Sequence, residues 1–195
     1  MKEVLRVKLT LLGALGALAI IPAAAPAQLA GASMSWQYYA YGGPYSGGTS
    51  SGSFVVTPGI LGTFAIPSSG IVYFDIYADN TSITFDYSRT SAPGTWSGSS
   101  LSLAPTIYNG IGLNVNAGPT LTSVTIDPST NMAGFNASDL SFTGNQIEVN
   151  WANLSWDSNT IVKLDVNSVP EPFTIALCAG GLGLAIARRR KAKKS

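Results

Sequence analysis

The chain has 195 residues with no histidine and a single cysteine, and its 11 basic and 10 acidic residues leave a net charge of +1. Without histidine there is no Ser-His-Asp or Cys-His nucleophile and no His-built zinc, copper or non-haem iron site. With one cysteine there is no intramolecular disulfide, so burial alone has to stabilise the fold.

The small net charge conceals a segregation along the chain. Residues 1–27 carry three cations and one carboxylate, residues 28–167 two cations and eight carboxylates, and residues 168–195 six cations and one carboxylate. In the first segment Lys2, Arg6 and Lys8 precede thirteen apolar residues at 9–21, which Pro22 ends before an alanine-rich stretch. This is the pattern of a secretory signal peptide, a substrate for signal peptidase, and the apolar run is too short to span a bilayer. Small residues permit cleavage after Ala27 or after Ala32, and the first places the signal peptide at 1–27.

In the acidic middle segment, 28–167, the only cations are Arg89 and Lys163. Nucleic acid is thereby excluded as a partner, because nothing there can neutralise a phosphate backbone. The dominant period is two. Ile83, Phe85 and Tyr87 alternate with polar residues over 82–88, as do Ile147, Val149 and Trp151 over 146–151, and Val162, Leu164 and Val166 over 162–166. Each reads as a strand with one buried and one wet face. Further strands are expected at 53–57, 61–66, 71–77, 113–116, 121–127 and 140–143, with Val72, Phe74 and Ile76 pointing inward from the third of these. Turn clusters separate the runs: 67–70, 78–80, 92–94, 109–110, 117–119, 127–129 and 144–145. The Gly- and Ser-rich segment 42–52 reads as a flexible loop within one domain. The expected fold is an all-β, antiparallel β-sandwich of Ig-like or jelly-roll type, with Phe74, Ile76, Phe85, Ile147, Val149, Trp151, Leu164 and Val166 in its core.

The middle segment is poor in chemistry. A glycosidase needs two carboxylates across a cleft, yet most of the acids here fall on polar strand faces or in turns, so no catalytic residue, cofactor or metal is assigned and the chain is read as no enzyme. Short Asp/Asn runs such as Asp157-Ser158-Asn159, and those at 75–80, offer oxygens at calcium-like spacing but read as turns. Trp36, Tyr38, Tyr39 and Tyr41, with Tyr45 close behind, put five aromatics into ten residues. Flat ring faces suit sugar stacking, and the first four are the candidate sugar contacts, set against plain strand packing.

The last segment has three parts. Val169-Pro170-Glu171-Pro172 holds a carboxylate between two prolines, which stop both helix and sheet and keep the peptide extended. An apolar run at 173–187 is expected to form a single transmembrane helix, since an isolated strand in lipid leaves its backbone unsatisfied. Fifteen residues reach only about 22 Å of a ~30 Å hydrocarbon core, a short anchor. Arg188, Arg189, Arg190, Lys191, Lys193 and Lys194 then hold that end in the cytoplasm. Pro-Glu-Pro, a short span and a basic cluster in this order resemble the PEP-CTERM sorting signal of Gram-negative bacteria. The same tail is catalogued as an ice-binding protein C-terminal domain, a label for the tail and not for an activity.

The resemblance covers 168–195 and implies an address. An exosortase-type membrane enzyme reads Pro170, Glu171 and Pro172, with Val169 flanking, and the protein is delivered from the inner membrane to the cell surface or exopolysaccharide matrix. The expectation is an exported structural or interaction protein of that matrix, and the alternative is a carbohydrate-binding module with exopolysaccharide as partner.

Overall fold

The computed structural model describes residues 28–41, 43–98 and 109–170. The signal peptide, Glu171, Pro172, the expected helix at 173–187 and the basic cluster from Arg188 to Lys194 lie outside the described residues. Among those described, no helix is long and apolar enough to cross a membrane. The described chain is all-β and its strand pairs are antiparallel. In chain order the strands are β1 (Ser33–Ala40), β2 (Gly43–Pro44), β3 (Ser51–Val55), β4 (Gly62–Ile66), β5 (Ile71–Ala78), β6 (Ser82–Asp86) and β7 (Gly94–Thr95). After the undescribed stretch follow β8 (Gly110–Ala117), β9 (Thr120–Ile126), β10 (Leu140–Phe142), β11 (Gln146–Asn150), β12 (Ser155–Trp156) and β13 (Ile161–Val169).

One sheet runs β10-β11-β8-β1-β2, with β3 sharing the β2 edge of β1. A second runs β4-β5-β6-β13-β9, and β7 with β12 makes a separate two-stranded ribbon. Side chains from both sheets meet in one core. Tyr38 of β1 stacks on Phe64 of β4 with ring centroids 4.1 Å apart, and Trp151, just past β11, meets Phe74 of β5 and Phe85 of β6 at 5.4 and 5.2 Å. The eight core residues expected from the alternation are all buried. Leu29 is also fully buried, its N–H donating to the Asn80 carbonyl at 3.0 Å, so the chain is packed into the domain from its first described residues.

Three expectations are corrected. The stretch at 33–40, read for its aromatic faces and not as a strand, is β1, paired with β8 on one edge and with β2 and β3 on the other; Met34, Trp36, Tyr38 and Ala40 face the core. The stretch at 42–52 is no simple loop, since it contains β2 and the start of β3. Val72 is only half-buried, because the pairing steps from Phe64↔Phe74 to Ala65↔Val72, leaving Tyr73 as an extra residue in β5. Such a bulge breaks the two-residue alternation and re-aims a side chain. The far boundary also moves. β13 continues past 167 to Val169, which pairs with Thr120, and stops where Pro170 brings no N–H to the ladder.

Both cations of the domain are spent on carboxylates within it. Lys163 pairs with Asp127 at 3.0 Å, and Arg89 holds both oxygens of Asp75.

Candidate functional site

Where β1 ends and β5 and β8 begin, aromatic side chains converge around an open cleft of about 320 Å³. Tyr38 forms its floor, together with Phe64 of β4, while Tyr73, Trp96 and Trp156 line it from β5 and from the β7–β12 ribbon, and Tyr41 and Tyr45 stand at the β1–β2 connection. The bulge in β5 explains Tyr73. Residues either side of an extra residue no longer alternate, and its ring turns in to stack on Phe64 at 5.0 Å and to meet Trp96 at 5.2 Å and Trp156 at 5.5 Å. Trp156 is seated against Gly94, where a Cβ would stand 2.6 Å from the indole, so the ribbon needs glycine at that point.

The floor is pinned by a buried amide. The Tyr38 hydroxyl donates to Asn109 Oδ1, and Asn109 Nδ2 donates to the Ser97 carbonyl at 2.9 Å and to its hydroxyl at 2.8 Å. Burial, with the nearby Tyr87, pushes the Tyr38 phenol well above its ordinary pKa, so it remains a donor. Burial and the neighbouring Tyr45 and Tyr41 also raise Tyr73. Among the described residues no charged side chain lines the cleft, and these shifts keep its phenols uncharged. Deeper in, Tyr87 Oη and the indole N–H groups of Trp96, Trp151 and Trp156 are buried without a hydrogen bond of good geometry. Trp151 still faces the Tyr38 hydroxyl and Trp96 that of Tyr87, closely enough to oppose part of the burial effect on each phenol.

Tyr41 is unusual in its backbone. Its φ is +54° and the residue is 74% exposed. Among the described residues the other non-glycine with positive φ is Asn153, a type that tolerates that region. A bulky side chain there costs about 1–2 kcal/mol. The two-residue connection 41–42 joins β1 to β2, and such hairpins ordinarily take Asn, Asp or Gly at the first position.

A second cleft of about 630 Å³ adjoins the first and shares Pro93, Gly94, Thr95 and Trp156 with it. Its polar groups largely bond one another: Asn131 accepts from Ile161 N at 2.7 Å and donates to the Asn159 carbonyl at 2.8 Å, and Thr95 and Ser155 hydroxyls lie 2.8 Å apart. Asp157, the carboxylate lining it, accepts from Asn159 N at 2.8 Å inside its own turn. That is the Asx-turn geometry of a structural loop, and Asp79, Asp86 and Asp127 cap their turns in the same way. Among the described residues no group of three acidic or cysteine ligands comes together.

The four candidate sugar contacts therefore separate. Trp36 is 3% exposed and lies against Gly52 and Gly62 in the core, away from the cleft, so it is corrected to a packing residue. Tyr38 is 2% exposed; its ring is stacked on Phe64, and it serves as floor and not as a free platform. Tyr39 points from the other face of β1 and does not line the cleft. Tyr41 stands at the mouth. Phe64, Tyr73, Trp96 and Trp156 belong to the site but are far from Tyr41 in the chain, and Trp96 and Trp156 were legible only as scattered aromatics. Of the sorting residues, Val169 is in β13 and 45% exposed, and Pro170 follows it directly.

No protein-family model, curated protein or solved structure matches the chain. The chemistry of the cleft is therefore read from its own residues.

Proposed function

We propose that the chain is an exported protein of PEP-CTERM type whose domain, an antiparallel β-sandwich, acts as a structural or interaction module of the cell surface or exopolysaccharide matrix. The contact of two sheets through one aromatic core supports the sandwich form. What carries the functional reading is the order of the targeting parts around that domain: a signal peptide before it, and Pro170-Glu171-Pro172, an apolar span and a basic cluster after it. The burial of Leu29 favours signal-peptide cleavage after Ala27, since cleavage after Ala32 removes a core residue. The last strand ends at Val169, directly before the Pro170-Glu171-Pro172 motif that a membrane enzyme of exosortase type would read. The short span then serves as a transient anchor before release.

Fractionation of the producing cells with intact-mass measurement tests this. Protein at the surface should lack Arg188 to Lys194, and Glu171→Ala should leave unprocessed protein in the inner membrane. Recovery of a surface form that extends to Ser195, unchanged by that substitution, defeats the sorting reading.

The uncharged aromatic cleft favours a second reading, a carbohydrate-binding module that attaches the protein to exopolysaccharide. It is compatible with the first, since a matrix protein has to hold on to something.

A further inference from the structure

We propose that the aromatic cleft binds a segment of uncharged polysaccharide and that Tyr41 is its outer stacking platform. The inference rests on the carbohydrate-binding reading above; it adds the ligand class and singles out Tyr41 from the four candidate contacts. The decisive observation is the backbone of Tyr41. A tyrosine occupies a left-handed position, φ +54°, that Asn or Gly would fill without strain, and it keeps most of its ring in solvent. Its ring touches Tyr45 at 6.4 Å but is not covered by it, so packing offers little return for the strained conformation. Backbone strain clusters at ligand contacts, and here it sits at the mouth of a cleft on an exposed aromatic.

The cleft specifies the ligand. Among the described residues the aromatic cleft offers no cation to a carboxylate- or sulfate-bearing chain, and the Asp157 carboxylate of the adjoining cleft is held by its own turn. Ring faces of the exposed Tyr41 and the half-buried Tyr73 suit the C–H face of a pyranose, and phenol hydroxyls with Thr95 at the rim suit its hydroxyls. At about 320 Å³ the aromatic cleft lies at the small end of ligand sites, but it continues past Trp156 into the polar cleft of about 630 Å³. The buried indole N–H of Trp156, at the junction, has no acceptor among the described residues. A cleft with aromatic walls that opens into a groove of hydroxyls, amides and the turn-bound Asp157 carboxylate fits several residues of a chain better than one monosaccharide.

The test uses full-length protein purified in a detergent without a sugar headgroup. Affinity electrophoresis through gels containing dextran, galactomannan or arabinoxylan, with alginate as the charged control, measures binding, and thermal unfolding is followed in parallel. The expected result is retardation by at least one uncharged polysaccharide and not by alginate. Tyr41→Asn should weaken it roughly five- to tenfold, the scale of one lost ring contact, while keeping or raising the melting temperature. Tyr41→Phe should retain binding, and Tyr39→Ala, off the cleft, should leave it unchanged. The proposal is overturned if Tyr41→Asn binds as the parent does, if it destabilises the domain, or if alginate is the preferred ligand. Matrix retention without binding to any uncharged polysaccharide overturns the cleft assignment and leaves the matrix reading standing. Absence of the protein from surface and matrix defeats that reading itself.

Discussion

Asp75 illustrates what a single buried charge demands. It is 1% exposed on β5, and its register partner on β6 is another acid, Asp86. An unpaired carboxylate there would be costly, and Arg89 answers it by donating from Nε and Nη2 to the two oxygens while Thr63 donates its hydroxyl at 2.6 Å. Arg89 itself is half in solvent, at 49% side-chain exposure, so the pair is only partly desolvated. Arg89→Ala is expected to destabilise the domain by about 1–3 kcal/mol, mostly through the carboxylate left behind. Urea unfolding measures this. Adding Asp75→Asn to that variant should recover part of the loss, and a double variant that loses the full sum of the single effects would show that the two residues act independently.

At the scale of the elements, the pairing of β8 with β11 depends on close approach. Gly110 opens β8 opposite Asn150, and a Cβ there would lie 1.8 Å from the Val149 carbonyl oxygen, a backbone atom that cannot rotate away. Gly110→Ala is therefore expected to push the strands apart and to cost about 1–3 kcal/mol or more, read as a lower urea midpoint and faster amide exchange in β8 and β11. Unchanged exchange in both strands would contradict this packing. The neighbouring Asn109 also pins Tyr38, so distortion of β8 should reach the floor of the cleft. The elements differ in how far the chain announced them. β6, β11 and β13 were visible because Ile83 and Phe85, Ile147 and Val149, and Val162 to Val166 alternate strictly. β1 was hidden by its own composition: its buried residues include Trp36 and Tyr38, whose aromatic faces suit a ligand as well as a core. The bulge in β5 was not visible either, since it arises from the pairing with β4 and leaves no mark in the alternation.

For the molecule as a whole, the dependence on pH follows from its carboxylates. Hydrogen bonds from the Ser129 hydroxyl and N–H, then Lys163, hold Asp127 well below the usual carboxylate range. Burial pushes Asp79 up, but hydrogen bonds from Thr81 N and from Ser82 outweigh it and leave Asp79 lowered. Both groups bind protons more readily when unfolded, so the stability they add is complete above the unfolded carboxylate pKa of about 4 and is lost as pH falls through their folded values. Asp165 has the opposite sign: burial, then the Asp127 charge, raise it, so its protonation returns some stability on acidification. With two lowered against one raised, the urea midpoint should be flat near neutrality and fall below about pH 4. A midpoint that rises between pH 5 and pH 3 would mean that Asp165 dominates.

Alternation with period two was enough to imply all-β structure and eight residues of its core, because on a regular strand the buried face follows from the local pattern of the chain. The order of basic clusters, apolar runs and the Pro170-Glu171-Pro172 motif carried the expected export and sorting signals. What lay beyond the sequence was which strands meet. β1 pairs with β8 across more than seventy residues and β13 lies between β6 and β9, and these choices depend on the fit of two sheet faces in three dimensions. The cleft depends on the same choices. Tyr41 and Tyr45 come from one hairpin, Tyr73 from a bulge and Trp96 and Trp156 from a ribbon of two short strands, and no spacing along the chain records that they share one wall. Only the tertiary structure separates Trp36, sealed beneath two glycines, from Tyr41, strained and in solvent five residues later.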